Sequence, residues 1–497
     1  MMPAPADFEV FVSGDRAFAA FERAVLAAKV SVTGGFRIFD LRTTLVSDEA
    51  REIGETWFDL LAHVVDRGVT INLAISDFDP VYGTELHELT WSTVKQVAAL
   101  REATGADRDR VNIRAALHPA TPGAIPWLAF LPETLRRAWA KKRALTKAAR
   151  AHAPGLKSAM PALHTVTHHQ KLAVIDDDTL YIGGLDLNDR RFDTRAHDRP
   201  ATETWSDVQV IVRNDPVIAE AKAHLASFEA VVRRREKPPV TRQLRRTMST
   251  NRRFKAPFLS PLTIVNEIER AHLDAIRDAR NLIYIETQYM RSKRIANALA
   301  EAAHENPDVR LIMVLPALPD DAAFEDRFDD IGLETRFGLA LENEALAIIK
   351  QGFGERGTIA APVQPVMAPA DGNATHAGSP IIYVHNKVLV RDADFAVVGS
   401  ANLNGRSLRW DTEAGLAITD PGRIELLRNT LFSHWWWHGP PTGAWLDPAA
   451  MQPVWHAEIL RNHRRLPQNR TGFLVPHDTA VHAEEGQPIP LITEDMV

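Results

Sequence analysis

A histidine and a lysine two residues apart occur twice in this chain, as His169-Gln170-Lys171 and His385-Asn386-Lys387. On a β-strand, residues two apart point to the same face, so each pair presents one imidazole and one ammonium group together. Two such faces brought into contact hold what cleavage of a phosphodiester requires. With an ordinary pKa of about 6.5, one imidazole is neutral and nucleophilic at neutral pH while its partner, if protonated, donates to the departing oxygen. The two ammonium groups supply positive charge for the nonbridging oxygens.

Each pair opens an apolar run that ends in an acid, giving H-x-K-x4-D with Asp176 and Asp392. The likeness continues downstream without a gap. Asp186 and Asn402 follow their histidines by seventeen residues, Asn188 and Asn404 by nineteen, and Arg190 and Arg406 by twenty-one. A match of that length predicts two structural copies. Upstream, Phe18, Phe21 and Val25 form a helical stripe before a strand over Val30–Thr33, and Ile264, Ile268, Ala271 and Ala275 form another before a strand over Leu282–Glu286. Further strands are expected at Val69–Ile75 and Val309–Leu315. Each half therefore reads helix, strand, helix, strand, motif strand. The expected fold class is α/β, with two similar mixed-sheet domains flanked by helices and related by a pseudo-twofold axis. The expected boundaries are 8–235 for the first domain, 236–261 for a linker, 262–437 for the second domain and 438–497 for a C-terminal extension.

In these motifs the chain resembles the phospholipase D superfamily. The second copy carries the resemblance most closely, in Tyr383–Lys387, in Gly399–Ser407 and in Tyr284-Ile285-Glu286-Thr287-Gln288-Tyr289 upstream. The first copy departs at Gly184 and Asp186, where the general motif has Ser and Asn, although Gly183-Gly184-Leu185-Asp186-Leu187 is similar to the N-terminal copy of eukaryotic-type phospholipases D. The resemblance implies a covalent phosphohistidine, with His169 as nucleophile and His385 as general acid. Lys171 and Lys387 would hold the phosphoryl oxygens, Asn402 and Ser400 would donate hydrogen bonds, and Asp186 and Gln288 would flank the substrate. The scheme uses no metal and no cofactor. Each imidazole also needs its second nitrogen oriented. The candidates are Asp207, thirty-eight residues after the first motif histidine, and Glu413, twenty-eight after the second, each opening an apolar strand. Asp176 and Asp392 fall on the opposite strand face from their lysines, so structural salt bridges are expected of them.

Composition bounds the partners. There are 58 Lys plus Arg against 64 Asp plus Glu, a net charge of −6, so a global basic footprint for nucleic acid is missing. The absence of cysteine excludes disulfides, thiolate metal sites and a cysteine nucleophile. No apolar run reaches the roughly 18 residues of a membrane span and the N-terminus lacks a signal-peptide pattern, so a cytoplasmic monomer is expected. Peripheral attachment to a membrane, or export without a classical signal, are the alternatives. Locally, Arg136, Arg137, Lys141, Lys142, Arg143, Lys147, Arg150 and Lys157 face a single acid, Glu133. This reads as a solvated helix or, with Leu135, Trp139 and Leu145, as an element meeting anionic lipid. His164 and His168 are spaced as metal ligands on a helix would be, but Thr165-Val166-Thr167 favours a strand. His197 has no repeat partner. Trp435-Trp436-Trp437, between His434 and His438, reads as core and rim packing rather than an interfacial belt. The expected function is hydrolysis of a glycerophospholipid to phosphatidic acid and free alcohol, with transphosphatidylation when an alcohol replaces water. The alternatives are a phosphatidyltransferase of cardiolipin synthase type and a nuclease.

Overall fold

The computed structural model describes residues 7–153, 163–254, 261–324, 332–369, 372, 374–437, 443–489 and 492–496. Lys157 and His438 lie outside the described residues, as does the Glu133 side chain. The chain builds two mixed sheets. The first contains β1 (Phe8–Val12), β2 (Ser31–Phe36), β3 (Thr70–Ser76), β4 (Val111–Ala116), β5 (Leu172–Ile175), β6 (Thr179–Gly183) and β7 (Val208–Arg213), in the order β1-β7-β6-β5-β2-β3-β4. The second contains β8 (Leu244–Thr250), β9 (Leu262–Asn266), β10 (Leu282–Thr287), β11 (Arg310–Val314) and β12 (Gly357–Pro362). A two-stranded hairpin, β13 (Thr375–His376) and β14 (Ser379–Pro380), intervenes before β15 (Lys387–Arg391), β16 (Phe395–Gly399), β17 (Glu413–Ile418) and β18 (Leu474–Pro476). The second sheet's order is β18-β12-β11-β10-β15-β16-β17-β8-β9.

The run β7-β6-β5-β2-β3-β4 in one sheet thus repeats as β17-β16-β15-β10-β11-β12 in the other, and the registers agree. Val32 pairs with Ile175 where Ile283 pairs with Arg391, and the isolated bridge Phe39–Leu187 reappears as Met290–Leu403. In both motif strands alternate residues divide between two cores, as the two-residue period requires. Val174 and Val388 join a core shared by the two halves, whereas Ala173 and Leu389 face the helices of their own half. The sheets meet through β6, β7, β16 and β17, which sets the ends of the motif strands side by side.

Several elements differ from the sequence expectations. Leu244–Thr250, within the stretch whose composition suggests a linker, is a strand paired with β17. Leu474–Pro476, in the expected extension, adds an edge strand beside β12. Ile264 lies in β9 rather than in the helix, which runs Glu267–Arg277. β9 and β18 form the two edges of this sheet, whereas β8 lies between β17 and β9 and buries its polar side chains against specific partners, Arg246 on Glu267 and Ser249 on Trp410 O. Trp435 and Trp436 are buried, and Trp435 Nε1 donates to Glu286 Oε1 at 2.9 Å. Among the described residues no helix is long and apolar enough to cross a membrane.

Candidate active site

Both motif histidines sit just before their strands, in segments that pair across the two halves. His169 N and Gln170 N donate to Thr412 O, at 2.8 and 2.9 Å, and His385 N donates to Ser206 O at 2.8 Å. This pairing delivers the residue after each acceptor to the histidine of the other half. Glu413 thereby lies 3.0 Å from His169 Nδ1, and Asp207 lies 2.6 Å from His385 Nδ1. The chain spacing had suggested that each carboxylate serves the histidine of its own half; the structure exchanges them. All four side chains are buried. With Nδ1 committed to a carboxylate, Nε2 of each ring is the atom left for reaction.

The lysines repeat the symmetry. Lys171 Nζ donates to His169 O at 2.6 Å, and Lys387 Nζ donates to His385 O. Lys171 lies 3.6 Å from Asp186 Oδ2, while Lys387 reaches Gln288 Oε1 at 3.4 Å. Asn402 is buried, and its Oδ1 has no hydrogen-bond partner among the described residues. Ser400 is expected from sequence to donate toward substrate, but its hydroxyl donates to Glu413 Oε2 at 2.5 Å and so holds that carboxylate.

The departures of the first copy have local causes. A Cβ on Gly184 would fall 2.2 Å from Asp207 Oδ1. Gly184 with Asp207 therefore occupies the space that Ser400 with Glu413 fills in the other half. Similarly, Glu286 accepts from Asn386, while at the corresponding place Gly35 leaves room for Gln170, whose Nε2 would be 2.4 Å from an added Cβ. Among the described residues the motif acids form no salt bridge, contrary to expectation. Asp176 accepts from the backbone N–H groups of Lys29, Val30 and Ser31, and Asp392 from those of Arg280, Asn281 and Leu282. Both acids tie the far end of the motif strand to the start of its neighbour.

Three residues near the site escaped the sequence reading. Arg37 follows β2 where Gln288 follows β10, and its guanidinium is 3.8 Å from Asp186 Oδ2. Trp205 lies against the His385 ring with centroids 4.5 Å apart, and the Arg191 guanidinium sits 3.7 Å from the Trp205 ring centroid. Aligning the two halves through their strands would have exposed Arg37; nothing in the repeat marks Trp205. His168, one of the two histidines at metal-ligand spacing, spends Nδ1 on Thr412 Oγ1 at 2.9 Å.

Burial, reinforced by Lys171, Arg37, Lys387 and Arg406, holds the His169 imidazole well below its ordinary pKa. Burial and then Lys387, Arg191 and Lys171 do the same to His385. Burial also lowers both ammonium groups and pushes Asp207 up to about 7 and Glu413 up to about 8. These shifts share one cause: an enclosed site resists charge until an anion enters to balance its cations.

Residues 272–436 match the family described as "Cardiolipin synthase, PLD-like domain". Phospholipase D zeta 2 of Arabidopsis thaliana is 31% identical over 191 residues, 33% of this chain and 18% of that protein. Phospholipase D1 of Schizosaccharomyces pombe is 24% identical over 355 residues, 52% of this chain and 25% of that one. The chain thus spans about a quarter or less of the length of these relatives. The fold of phosphatidylserine synthase from Haemophilus influenzae Rd KW20 superposes with a TM-score of 0.51 at 13% identity, covering 85% of this chain and 83% of that one. With a repeated sheet, two His-Lys pairs brought together and these sequence matches, the chain carries a PLD-like domain over residues 272–436 and is similar to phospholipases D.

Proposed function

We propose that the protein is a phospholipase D, which hydrolyses a glycerophospholipid to phosphatidic acid and free alcohol. The observation that carries this reading is the exchange of carboxylates. Each imidazole is held at Nδ1 by an acid of the other half, leaving both Nε2 atoms and both ammonium groups for one phosphoryl group. In the first step His169 Nε2 forms a bond to phosphorus as the bond to the departing alcohol oxygen breaks. His385 gives that oxygen its proton. In the second step water passes a proton to His385 and attacks phosphorus, the P–N bond breaks and His169 is released. Lys171, Lys387 and the Asn402 amide would stabilise the crowded phosphoryl oxygens in both transitions. The site adjoins a pocket of about 350 Å³ whose lining joins Arg37 and Arg406 to Phe78, Leu86, Leu163 and Phe337. A lining that combines cations with apolar side chains suits an amphiphile better than a nucleic acid.

A transferase reading is favoured by the description of the matched family. It differs only in the acceptor, since an alcohol replacing water in the second step yields a new phosphodiester. The test compares headgroup release from phospholipid vesicles, with and without ethanol or glycerol as competing acceptor, and cleavage of single- and double-stranded DNA. His385→Ala serves as the blank. Headgroup release with phosphatidic acid as product supports the hydrolase; a new phosphodiester as the main product moves the assignment to transfer. DNA cleavage without headgroup release overturns both.

A further inference from the structure

The helix Ala124–Lys141 has one side committed to the protein and another that nothing among the described residues covers. On the committed side, the hydroxyls of Thr134 and Tyr82 lie 2.9 Å apart, and the Arg137 guanidinium sits 4.9 Å from the Tyr82 ring centroid and 3.6 Å from Glu334. Tyr82 and Glu334 both line the pocket beside the site, so this side of the helix packs behind two residues of the pocket's wall. On the other side Leu128, Leu135 and Trp139 are exposed to 57%, 38% and 82%. Seven and four residues apart, they fall within one narrow stripe of a 3.6-residue helix. Lys142 and Arg143, both exposed, follow the helix end just beyond Trp139.

A tryptophan and two leucines projecting from a helix with exposed cations at its C-terminal end match the chemistry of a bilayer interface. The indole and leucines enter the headgroup boundary while the cations meet anionic headgroups. Resting on the phospholipase reading above, we infer that the outer face of Ala124–Lys141 is a docking surface for an anionic phospholipid bilayer. Docked this way, the helix holds the pocket, to which it is tied through Tyr82 and Glu334, close to the lipid surface.

The test measures sedimentation with sucrose-loaded vesicles of phosphatidylcholine alone or with added phosphatidic acid. It is run in the His385→Ala background so that no lipid is consumed. The expected result is at least tenfold tighter partition onto the acidic vesicles, weakened by salt. Replacing Leu128, Leu135 and Trp139 together by Ser should cut that partition at least tenfold. Lys142→Glu with Arg143→Glu should remove the preference for acidic vesicles. In the active background the triple Ser variant should cleave a monomeric short-chain substrate at the parental rate, with an unchanged thermal midpoint. Equal partition of the triple variant and its parent overturns the inference, as does no partition of the parent onto acidic vesicles. Loss of self-association in the triple variant, with vesicle binding intact, overturns it in favour of an interface between copies. Because binding is read without turnover, failure of the docking surface and failure of the phospholipase reading give different results.

Discussion

At the scale of single residues, the two halves solve the same problem with different pairs. Beside Lys171 stand Asp186 and Arg37; beside Lys387 stands Gln288, with Asn402 at the position of Asp186. A charged pair in one half thus replaces a neutral amide pair in the other. Changing one member leaves either an acid beside Lys171 without its counter-cation or two cations without their acid. Arg37→Gln and Asp186→Asn should therefore each lower kcat/KM by about a hundredfold, and the double change should recover to within about tenfold of the parent, because contacting residues are not additive. Additive losses would show that Arg37 and Asp186 act independently. Protonation follows the same local logic. In the free protein, burial and the surrounding cations hold His385 well below the ordinary imidazole value. A bound phosphodiester brings negative charge beside it and raises that pKa. Loss of the acid's proton should consequently appear at higher pH in kcat, which reports the complex, than in kcat/KM, which reports the free enzyme. The acid limb of kcat/KM, set by protonation of His169, should lie below about pH 6.5 because its pKa is lowered. Coincident alkaline limbs would remove His385 from the role of acid.

At the scale of elements, the motif acids are fasteners between strands. Each accepts three backbone N–H groups at the start of the neighbouring strand, and Asp176 and Asp392 both adopt a positive φ of 49° to do so. For Asp176, burial opposes ionisation, but the three donors outweigh it and hold the pKa below its ordinary value. A lowered carboxylate pKa gives stability that is present above the unfolded value of about 3.9 and is lost as pH falls through the folded one. Asp392→Ala should cost about 2–4 kcal/mol at neutral pH by stranding its donors. The change in kcat should be small in the fraction that remains folded. A large loss of kcat without loss of stability would make the residue part of the chemistry after all. The sequence made the motif strands and the acids' strand face legible, because period-two alternation and the gapless repeat are properties of the chain itself. It could not show what the acids bind, since a backbone N–H leaves no trace in residue type. Leu244–Thr250 stayed hidden for a related reason: its buried polar side chains, among them Arg246 on Glu267 and Ser249 on Trp410 O, resemble a linker in composition, and residue type does not show their partners. Phe18, Phe21 and Val25 were legible as a helical face because they pack on the sheet of their own half.

At the scale of the whole molecule, neither half holds a complete site. The core between the sheets draws Val174, Leu180 and Val210 from one half and Val388, Val398 and Leu416 from the other, so the contact that positions the motifs is also a main source of burial. The same contact exchanges the carboxylates. A change in the second half should therefore disable the histidine of the first, and the reverse. Glu413→Gln should impair attack by His169, and Asp207→Asn should impair proton donation by His385, each lowering kcat/KM by about 10²–10⁴ for a natural headgroup, as when a buried orienting acid is made neutral. The two lesions separate when the leaving group changes. With p-nitrophenol as leaving group no proton is needed, so Asp207→Asn should regain most of its rate while Glu413→Gln should stay slow. Had each acid served the histidine of its own half, as chain spacing suggests, the recovery would fall to Glu413→Gln instead. With the wiring given by the geometry, one substrate pair measured on two variants therefore reads the division of labour between His169 and His385.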